Sequence, residues 1–402
     1  QAANFLIAPN ETAANAALAE INEVDAKTRY VVVDWQMVNG KFGAPVTFYT
    51  AGNVTRSDFR RTIYRTGQQG GIQPVGQINT QRYYESMMVR LYRFHGSAVS
   101  PSRIGSRYTY VTDWKIERVQ TPQGRTIPIR VVPDSGQVVR RFESPQTAKA
   151  FVENDTTSQM GGIGNFPVER VSALDHYRQV KVNEYQSGGR TRYPGVKVFE
   201  RVPGATVEGT GPPNQTVVAS VEMNVPSRNT TFTYRQYAQT GADGTFEMTL
   251  PYSSTGYENW GVEEGYTNVS IRATGPYQFS TGVTIEDNLT RVRYTDTAHV
   301  QEGQVIGENE TAVRVDLERE VLQQPEGAGN SSATNTTNTT ETTDAETNTT
   351  ETTNSTDATN ATETTSTTDG TTTTTATTTT SAAVAPAHRT GDGSHHVAPL
   401  IG

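Results

Sequence analysis

Hydrophobic and polar positions in the N-terminal part of the chain switch between helical and strand-like spacing. Residues 11–24 are rich in alanine and follow a candidate N-cap, Asn10 or Thr12, so we expect them to form a helix. Residues 30–33 are a short β-branched run, which predicts a buried strand of the parallel type that stops at Asp34. The pattern therefore indicates alternating helices and strands from the start of the chain.

A second helix is predicted over residues 83–95, and we expect it to pack on the strand at 30–33. Gly96 provides a C-terminal stop for this helix. Its apolar face is formed by residues at helical intervals: Tyr84, Met87, Met88, Leu91 and Tyr92.

Strand-like runs follow this helix at residues 108–119, 126–132 and 137–142. Ser144-Pro145 then predicts the start of a short helix that reaches Glu153, with serine as the cap and proline in the first turn. Residues 1–183 are therefore predicted to be a mixed α/β (α+β) module.

The next region, 184–318, has almost only strand and turn signals. Pro203-Gly204 and Asp243-Gly244 are typical of tight turns. Five runs alternate with the period of two that half-buried strands show: 196–202, 216–223, 231–237, 245–250 and 268–274. The fold predicted here is an antiparallel β-sandwich of the seven-strand type.

The last region, 319–402, is a low-complexity tail. Residues 323–383 contain no Val, Ile, Leu, Phe, Trp or Tyr and no Lys or Arg, while Thr, Asn, Ser and Glu recur. Such a segment cannot bury enough apolar area to offset its chain entropy, so it is predicted to be disordered. Asn-x-Ser/Thr triplets are frequent in the tail and in the folded part, a density that suits a glycosylated, outward-facing surface.

Composition narrows the possible functions. The 402 residues include no cysteine, which excludes a disulfide framework and a thiol nucleophile. The net charge of −8 argues against nucleic acid as the main partner. His95 and His176 have no visible nucleophile or third partner, and no metal-binding motif occurs. We therefore expect neither a catalytic residue nor a bound metal or other cofactor in this chain.

The spacing Asp34-x-x-Met37-x-x-x-Lys41 resembles a motif of the oligosaccharyltransferase catalytic subunit family, in the variant of archaeal members that has methionine in second place. Four further blocks resemble the haloarchaeal branch of that family, AglB, in the same order. They are Tyr-Val-Val-Val-Asp-Trp-Gln-Met from Tyr30, Gly-Lys-Phe-Gly-Ala-Pro from Gly40, the segment from Tyr84 to Ser97, and Ala-Leu-Asp-His-Tyr-Arg from Ala173.

The resemblance implies an enzyme that transfers an oligosaccharide from a dolichol phosphate carrier to Asn in Asn-x-Ser/Thr segments of acceptor proteins. The family's Trp-Trp-Asp-Tyr-Gly motif is absent, and so is any apolar run of the length of a membrane helix. The chain is therefore expected to be the C-terminal soluble part of a larger cell-membrane protein, facing the outside and inactive alone. The Mg or Mn ion of the family would be held by carboxylates in the missing membrane part.

By the same resemblance, Asp34, Met37 and Lys41 are expected to lie beside the pocket for the hydroxy residue of the acceptor. If the backbone is helical after residue 34, their spacing places all three on one face. Simpler interpretations stay open: Asp34 as a cap of the next turn, Met37 as core and Lys41 as a solvated charge. The alternative function is a cell-surface adhesin, with the sandwich as a binding module and the tail as a stalk.

Overall fold

The fold is described from a computed structural model of the chain. The described residues are 1–21, 28–67, 71–102, 107–121, 123–183, 185–188, 191–286 and 289–323. The predicted disordered tail falls almost entirely outside these ranges, from residue 324 onward, and its prediction is not tested.

The α-helices of the described ranges are α1 (Ala2–Ile7), α2 (Glu11–Ile21), α3 (Trp35–Val38), α4 (Gly43–Phe48), α5 (Arg56–Phe59), α6 (Gln81–Glu85), α7 (Met87–Phe94), α8 (Pro145–Asn154) and α9 (Glu302–Ile306). Short 3-10 turns lie at Pro226–Arg228 and Tyr257–Asn259.

The β-strands are β1 (Tyr30–Asp34), β2 (Arg60–Thr66), β3 (Ile72–Asn79), β4 (Thr109–Asp113), β5 (Lys115–Gln120), β6 (Thr126–Val131), β7 (Val139–Phe142), β8 (Ser158–Met160), β9 (Tyr177–Val182), β10 (Tyr185–Gly188), β11 (Thr191–Pro194), β12 (Val196–Arg201), β13 (Ala205–Thr210), β14 (Thr216–Val225), β15 (Thr230–Gln239), β16 (Thr245–Leu250), β17 (Arg272–Ala273), β18 (Tyr277–Thr281), β19 (Thr284–Ile285), β20 (Arg291–Ala298), β21 (Val313–Asp316) and β22 (Glu318–Gln323). The predicted fold class, a mixed α/β module followed by a β-sandwich, is confirmed.

The predicted helix over residues 83–95 is present as two helices, α6 and α7, that meet at Ser86. The extended backbone of Ser86 (ψ 137°) breaks the helix, and the Ser86 hydroxyl donates to the Tyr83 carbonyl at 2.7 Å. The N–H of Met87 instead donates to the carbonyl of Ala8, which ties the start of α7 to the end of α1. Helix α7 ends in a left-handed turn at His95 (φ 58°), followed by Gly96 with a φ of 78°. The predicted stop at Gly96 is therefore present, and two successive residues with left-handed backbone, His95 and Gly96, end the helix.

Helix α7 covers β1, as predicted. Its apolar residues are fully buried in one core cluster with Val31 and Val33 of the strand. In α7 these residues are Met87, Met88 and Leu91. Tyr84, near the end of α6, is fully buried in the same cluster.

Strand β1 itself differs from the expectation of a buried strand of the parallel type. It pairs antiparallel with β12, from Tyr30 opposite Glu200 to Asp34 opposite Val196, and lies at the edge of the sheet β1-β12-β9. Val31 and Val33 face the core, whereas Val32 is 53% exposed. The β-branched run therefore reflects a half-buried edge strand, because only alternate side chains meet α7.

The sandwich has two sheets that enclose a second core cluster. One sheet has the order β15-β14-β18-β20-β19, with β17 paired to β14 and β22 paired to β20. The other has the order β16-β13-β21, in which β13 and β21 are parallel. The side chains of β13 and β14 alternate between buried and less buried positions, so the period of two in the sequence is realised.

The run 268–274 was predicted as a strand, and this prediction is wrong except at β17. Ser270 uses its N–H and its hydroxyl to donate to the Val180 carbonyl of β9. The Arg272 side chain donates to the Val269 carbonyl. Val269 and Ile271 are buried, so the alternation in the sequence reports burial rather than sheet pairing.

The residues on either side of residue 183 share one sheet, because β12 lies between β1 and β9. The described residues between 1 and 323 belong to one compact unit. The division of the chain at 183 and 318 stays a prediction.

A separate sheet has the order β3-β2-β6-β5. Its strand β2 follows α5 directly in the chain. Its own small core consists of Ile63, Ile78 and Trp114. This sheet supplies one wall of a cleft described below.

Candidate functional site

Asp34 forms the junction between β1 and α3. Its backbone is extended, and its Oδ1 accepts a hydrogen bond of 2.8 Å from the backbone N–H of Met37. This is an N-cap, which satisfies one of the unpaired amide groups at the start of the helix. Asp34 therefore has the geometry of the simpler interpretation, and it also fixes where α3 begins.

Met37 lies within α3, whereas Lys41 lies beyond its end. The Met37 side chain is half-buried against the core cluster that contains α7. Helix α3 ends at Val38, because Asn39 leaves the helical region with ψ −96°. Lys41 is exposed, and its N–H donates to the Gln36 carbonyl at 2.8 Å. The expectation that Asp34, Met37 and Lys41 share one helical face is therefore wrong, since the helix is too short to include Lys41.

The end of α3 is held by side chains from two other elements. Arg60 of β2 donates to the carbonyls of Val38 and Asn39 at 2.6 and 3.0 Å. Arg93 of α7 donates to Asn39 Oδ1 at 2.8 Å and to the Tyr83 hydroxyl at 2.9 Å. The Tyr83 hydroxyl in turn donates to the Val38 carbonyl at 3.0 Å. These bonds satisfy carbonyls that a short helix leaves unpaired, so the motif segment has a fixed position.

Aromatic contacts complete this anchor. The Arg60 guanidinium lies 4.7 Å from the ring centroids of both Phe42 and Tyr83. Phe42 and Tyr83 also contact each other, with their ring centroids 5.0 Å apart. Reasoning from sequence missed Arg60, Arg93 and Tyr83 as supports of the motif. The one local signal for these supports was Arg93 itself, an arginine in a helix whose other residues are mostly buried.

A cleft of about 600 Å³ opens beside the segment that carries Lys41. One side is lined by Asn39, Gly40, Phe42 and Gly43. The sheet β3-β2-β6-β5 supplies the other side, through residues of β2, β3 and β6.

His95 and His176 have structural roles. His95 Nδ1 is 2.6 Å from Gln179 Oε1, and its ring is stacked on Phe232 at a centroid distance of 4.1 Å. Burial, and then the charge of nearby Lys197, lower the pKa of His95 well below its ordinary value. His176 Nδ1 is 2.7 Å from the Pro203 carbonyl oxygen. Neither contact includes a nucleophile that the imidazole would activate.

Among the described residues, no three His, Asp or Glu side chains come together in a group that would hold a metal ion.

Comparison with known proteins gives the family. Residues 204–308 match the family model described as the archaeal glycosylation protein B long peripheral domain. The chain is 45% identical over 365 residues to the dolichyl-monophosphooligosaccharide–protein glycotransferase AglB of Haloferax volcanii. That alignment covers 83% of this chain and 34% of the relative. The chain is similar to AglB over most of its length. The resemblance drawn from the sequence blocks is thereby confirmed.

A second relative is more distant. The dolichyl-phosphooligosaccharide-protein glycotransferase 3 of Archaeoglobus fulgidus is 25% identical over 323 residues, which cover 76% of this chain and 32% of that protein. The chain thus spans about a third of the length of the curated relatives it matches.

Solved structures of an Archaeoglobus fulgidus oligosaccharyltransferase also match this chain. The structure tethered with an acceptor peptide that contains the NVT sequon gives a TM-score of 0.42 at 18% identity. The match covers 79% of this chain and 34% of that one. Among the described helices, none has the length and hydropathy that crossing a bilayer requires.

Proposed function

We propose that this chain is part of an archaeal oligosaccharyltransferase that transfers a dolichol-phosphate-linked oligosaccharide to Asn of Asn-x-Ser/Thr segments in proteins. The observation that carries the proposal is the 45% identity over 365 residues to a relative named as a dolichyl-monophosphooligosaccharide–protein glycotransferase. Neither the family match nor the two relatives supports the adhesin alternative.

Within that enzyme, the proposed role of this chain is to help bind the acceptor segment through Asp34, Met37 and Lys41. Three observations support this role. Asp34 fixes the start of α3, Arg60 and Arg93 fix its end, and Lys41 is exposed beside this anchored turn. A binding surface for an extended peptide needs such a fixed backbone, because positional freedom costs affinity.

The aliphatic part of Lys41, or the accessible part of Met37, would contact the methyl group of threonine in the acceptor. Burying one methyl group contributes about 1 kcal/mol. This supports a modest preference for threonine over serine, on the order of fivefold. Asp34 orients the motif and takes no chemical step.

The catalytic chemistry is proposed to lie outside this chain. A Mg or Mn ion held by carboxylates elsewhere in the whole enzyme would polarise the reacting groups. The proposed location of the whole enzyme is the cell membrane, with this region on the outer side.

The experiment is transfer of the oligosaccharide to an Asn-x-Thr peptide in vitro by the full-length enzyme. We expect product from the full-length enzyme and none from this chain alone. Met37→Ala or Lys41→Ala in the full-length enzyme should lower transfer to Asn-x-Thr more than transfer to Asn-x-Ser. Equal losses for the two peptides in both variants would contradict the proposed methyl contact, and absence of transfer by the full-length enzyme would contradict the assigned reaction.

A further inference from the structure

The cleft beside the motif segment has an unusual charge. Its lining includes four arginines and neither an aspartate nor a glutamate. They are Arg56 of α5, Arg60 and Arg61 of β2, and Arg130 of β6. We call this the arginine cleft.

The four arginines have little negative charge near them. None of them forms an ion pair in the described part of the chain. The carboxylate that acts on Arg61 is Asp58, but it is engaged with the N–H and hydroxyl of Thr55 in the capping box of α5. Asp58 does not line the cleft.

Two of the guanidinium groups are partly buried, and each contains a nitrogen without a partner. The Nε atoms of Arg60 and Arg130 are buried and have no hydrogen-bond partner. A buried donor without a partner costs free energy, and so do like charges that are held together. Burial, followed by the positive charge of Arg61, lowers the pKa of Arg130. An anion in the cleft would relieve the repulsion between these like charges.

The backbone leaves room for this arrangement at Gly43. A Cβ atom at residue 43 would lie 2.7 Å from Nε and 2.8 Å from Cζ of Arg56. Glycine therefore lets the Arg56 guanidinium lie directly against the motif segment. Arg61 and Arg130 extend from neighbouring strands of one sheet, so the cleft has a rigid wall.

We propose that the arginine cleft is a binding site for a phosphoryl group. A guanidinium presents paired N–H donors that match two phosphate oxygens, and such charge-assisted bonds are about twice as strong as neutral ones. Several arginines in one cleft fit a dianion or a diphosphate better than a single carboxylate. The phosphoryl group belongs either to a soluble molecule or to a lipid headgroup. This site is independent of the proposed acceptor role, because its test measures anion binding and not glycan transfer.

The test uses calorimetric titration of the 402-residue chain with inorganic pyrophosphate at low ionic strength. We expect saturable binding that weakens as sodium chloride is added, because salt screens the attraction. Arg61→Gln combined with Arg130→Gln should lower the affinity by about tenfold or more. The matched control, Arg141→Gln with Arg291→Gln, removes the same charge from exposed positions outside the cleft and should stay within about twofold. Circular dichroism melting checks that both double variants are folded.

A second arm identifies the source of the phosphoryl group. Phosphatidylcholine vesicles with and without phosphatidate are sedimented with the wild-type chain and with both double variants. Phosphatidate-dependent sedimentation that Arg61→Gln with Arg130→Gln removes supports a lipid headgroup, whereas pyrophosphate binding alone supports a soluble ligand. The proposal is overturned if the wild-type chain binds neither probe or if the cleft variant binds like the control. Glucuronate that binds as tightly as pyrophosphate would also overturn it.

Discussion

Arg93 in α7 donates a 2.8 Å hydrogen bond to Oδ1 of Asn39, the C-cap residue that follows α3. This bond joins the helix that buries the first core to the segment that carries the candidate acceptor residues. The position of the motif segment therefore depends on the packing of α7 in the core.

Replacing Arg93 by methionine should loosen this connection while keeping an apolar stem of similar length. The variant leaves Asn39 Oδ1 and Tyr83 without their shared donor, so the free energy of unfolding should fall by about 1–3 kcal/mol. Urea denaturation measures this change. Arg141→Met, at an exposed position of β7, serves as the control and should change stability by less than about 0.5 kcal/mol. A stable Arg93→Met variant would show that the bond contributes nothing to the anchor.

The cap at Asp34 predicts a different series. Asp34→Ala removes the acceptor for the Met37 N–H and should cost about 1 kcal/mol, whereas Asp34→Ser should recover most of that loss. Transfer to an acceptor peptide by the full-length enzyme should follow the same order. If Asp34→Ser is stable but as inactive as Asp34→Ala, the carboxylate has a role beyond capping. The proposal that Asp34 only orients the motif would then be wrong.

Aspartate substitutions in α7 and β1 test how these two elements pack. Met88 and Leu91 are completely buried, so Met88→Asp or Leu91→Asp should destabilise the fold by several kcal/mol through an unpaired buried carboxylate. Val32→Asp places the same charge on the exposed side of β1 and is the matched control. Chemical denaturation distinguishes them. Similar midpoints for the three variants would show that α7 does not bury this face.

His95 predicts a dependence of stability on pH. Its pKa is well below the ordinary value near 6.5, so the unfolded chain binds a proton at this residue that the folded chain does not. As pH falls from 7 to 5, this group therefore lowers the free energy of unfolding, by at most about 1.4 kcal/mol per pH unit.

The variant His95→Asn tests this dependence. Asparagine tolerates the left-handed backbone of residue 95, where φ is 58°, and does not titrate. The variant is expected to be less stable at pH 7 but to show a shallower loss of stability between pH 7 and 5 than wild type. His176→Asn also removes one histidine and serves as the control for the loss of a histidine at another position. Parallel curves for wild type and His95→Asn would refute the assignment to His95.

Local sequence signals predicted much of the fold. The caps at Asn10 and Ser144 accept hydrogen bonds from the backbone N–H groups of Ala13 and Thr147, as the residue types indicate. The residues that the apolar spacing selected in α7 are buried, but seven of its eight residues are buried, so the helix lacks the exposed polar face of an amphipathic helix. These features depend on residues within a few positions of each other, so the sequence contains the required information.

Non-local features were not accessible in the same way. The antiparallel pairing of β1 depends on β12, more than 160 residues later, and a β-branched run is compatible with either sheet type. The break at Ser86 depends on the hydrogen bond from Met87 to Ala8. The anchor of α3 joins Arg60, Tyr83 and Arg93, whose meeting is a property of the folded chain.

The central claim is that the turn carrying Lys41 contacts the acceptor segment, and crosslinking tests it most directly. A photoreactive amino acid is placed at position 41 of the full-length enzyme, or at Arg118 as an exposed control, and irradiated with labelled peptides. The account predicts capture of an Asn-x-Thr peptide at position 41, little capture of the matching Asn-x-Ala peptide, and little capture of either at position 118. Equal capture of both peptides at position 41, or no more capture there than at position 118, would contradict it.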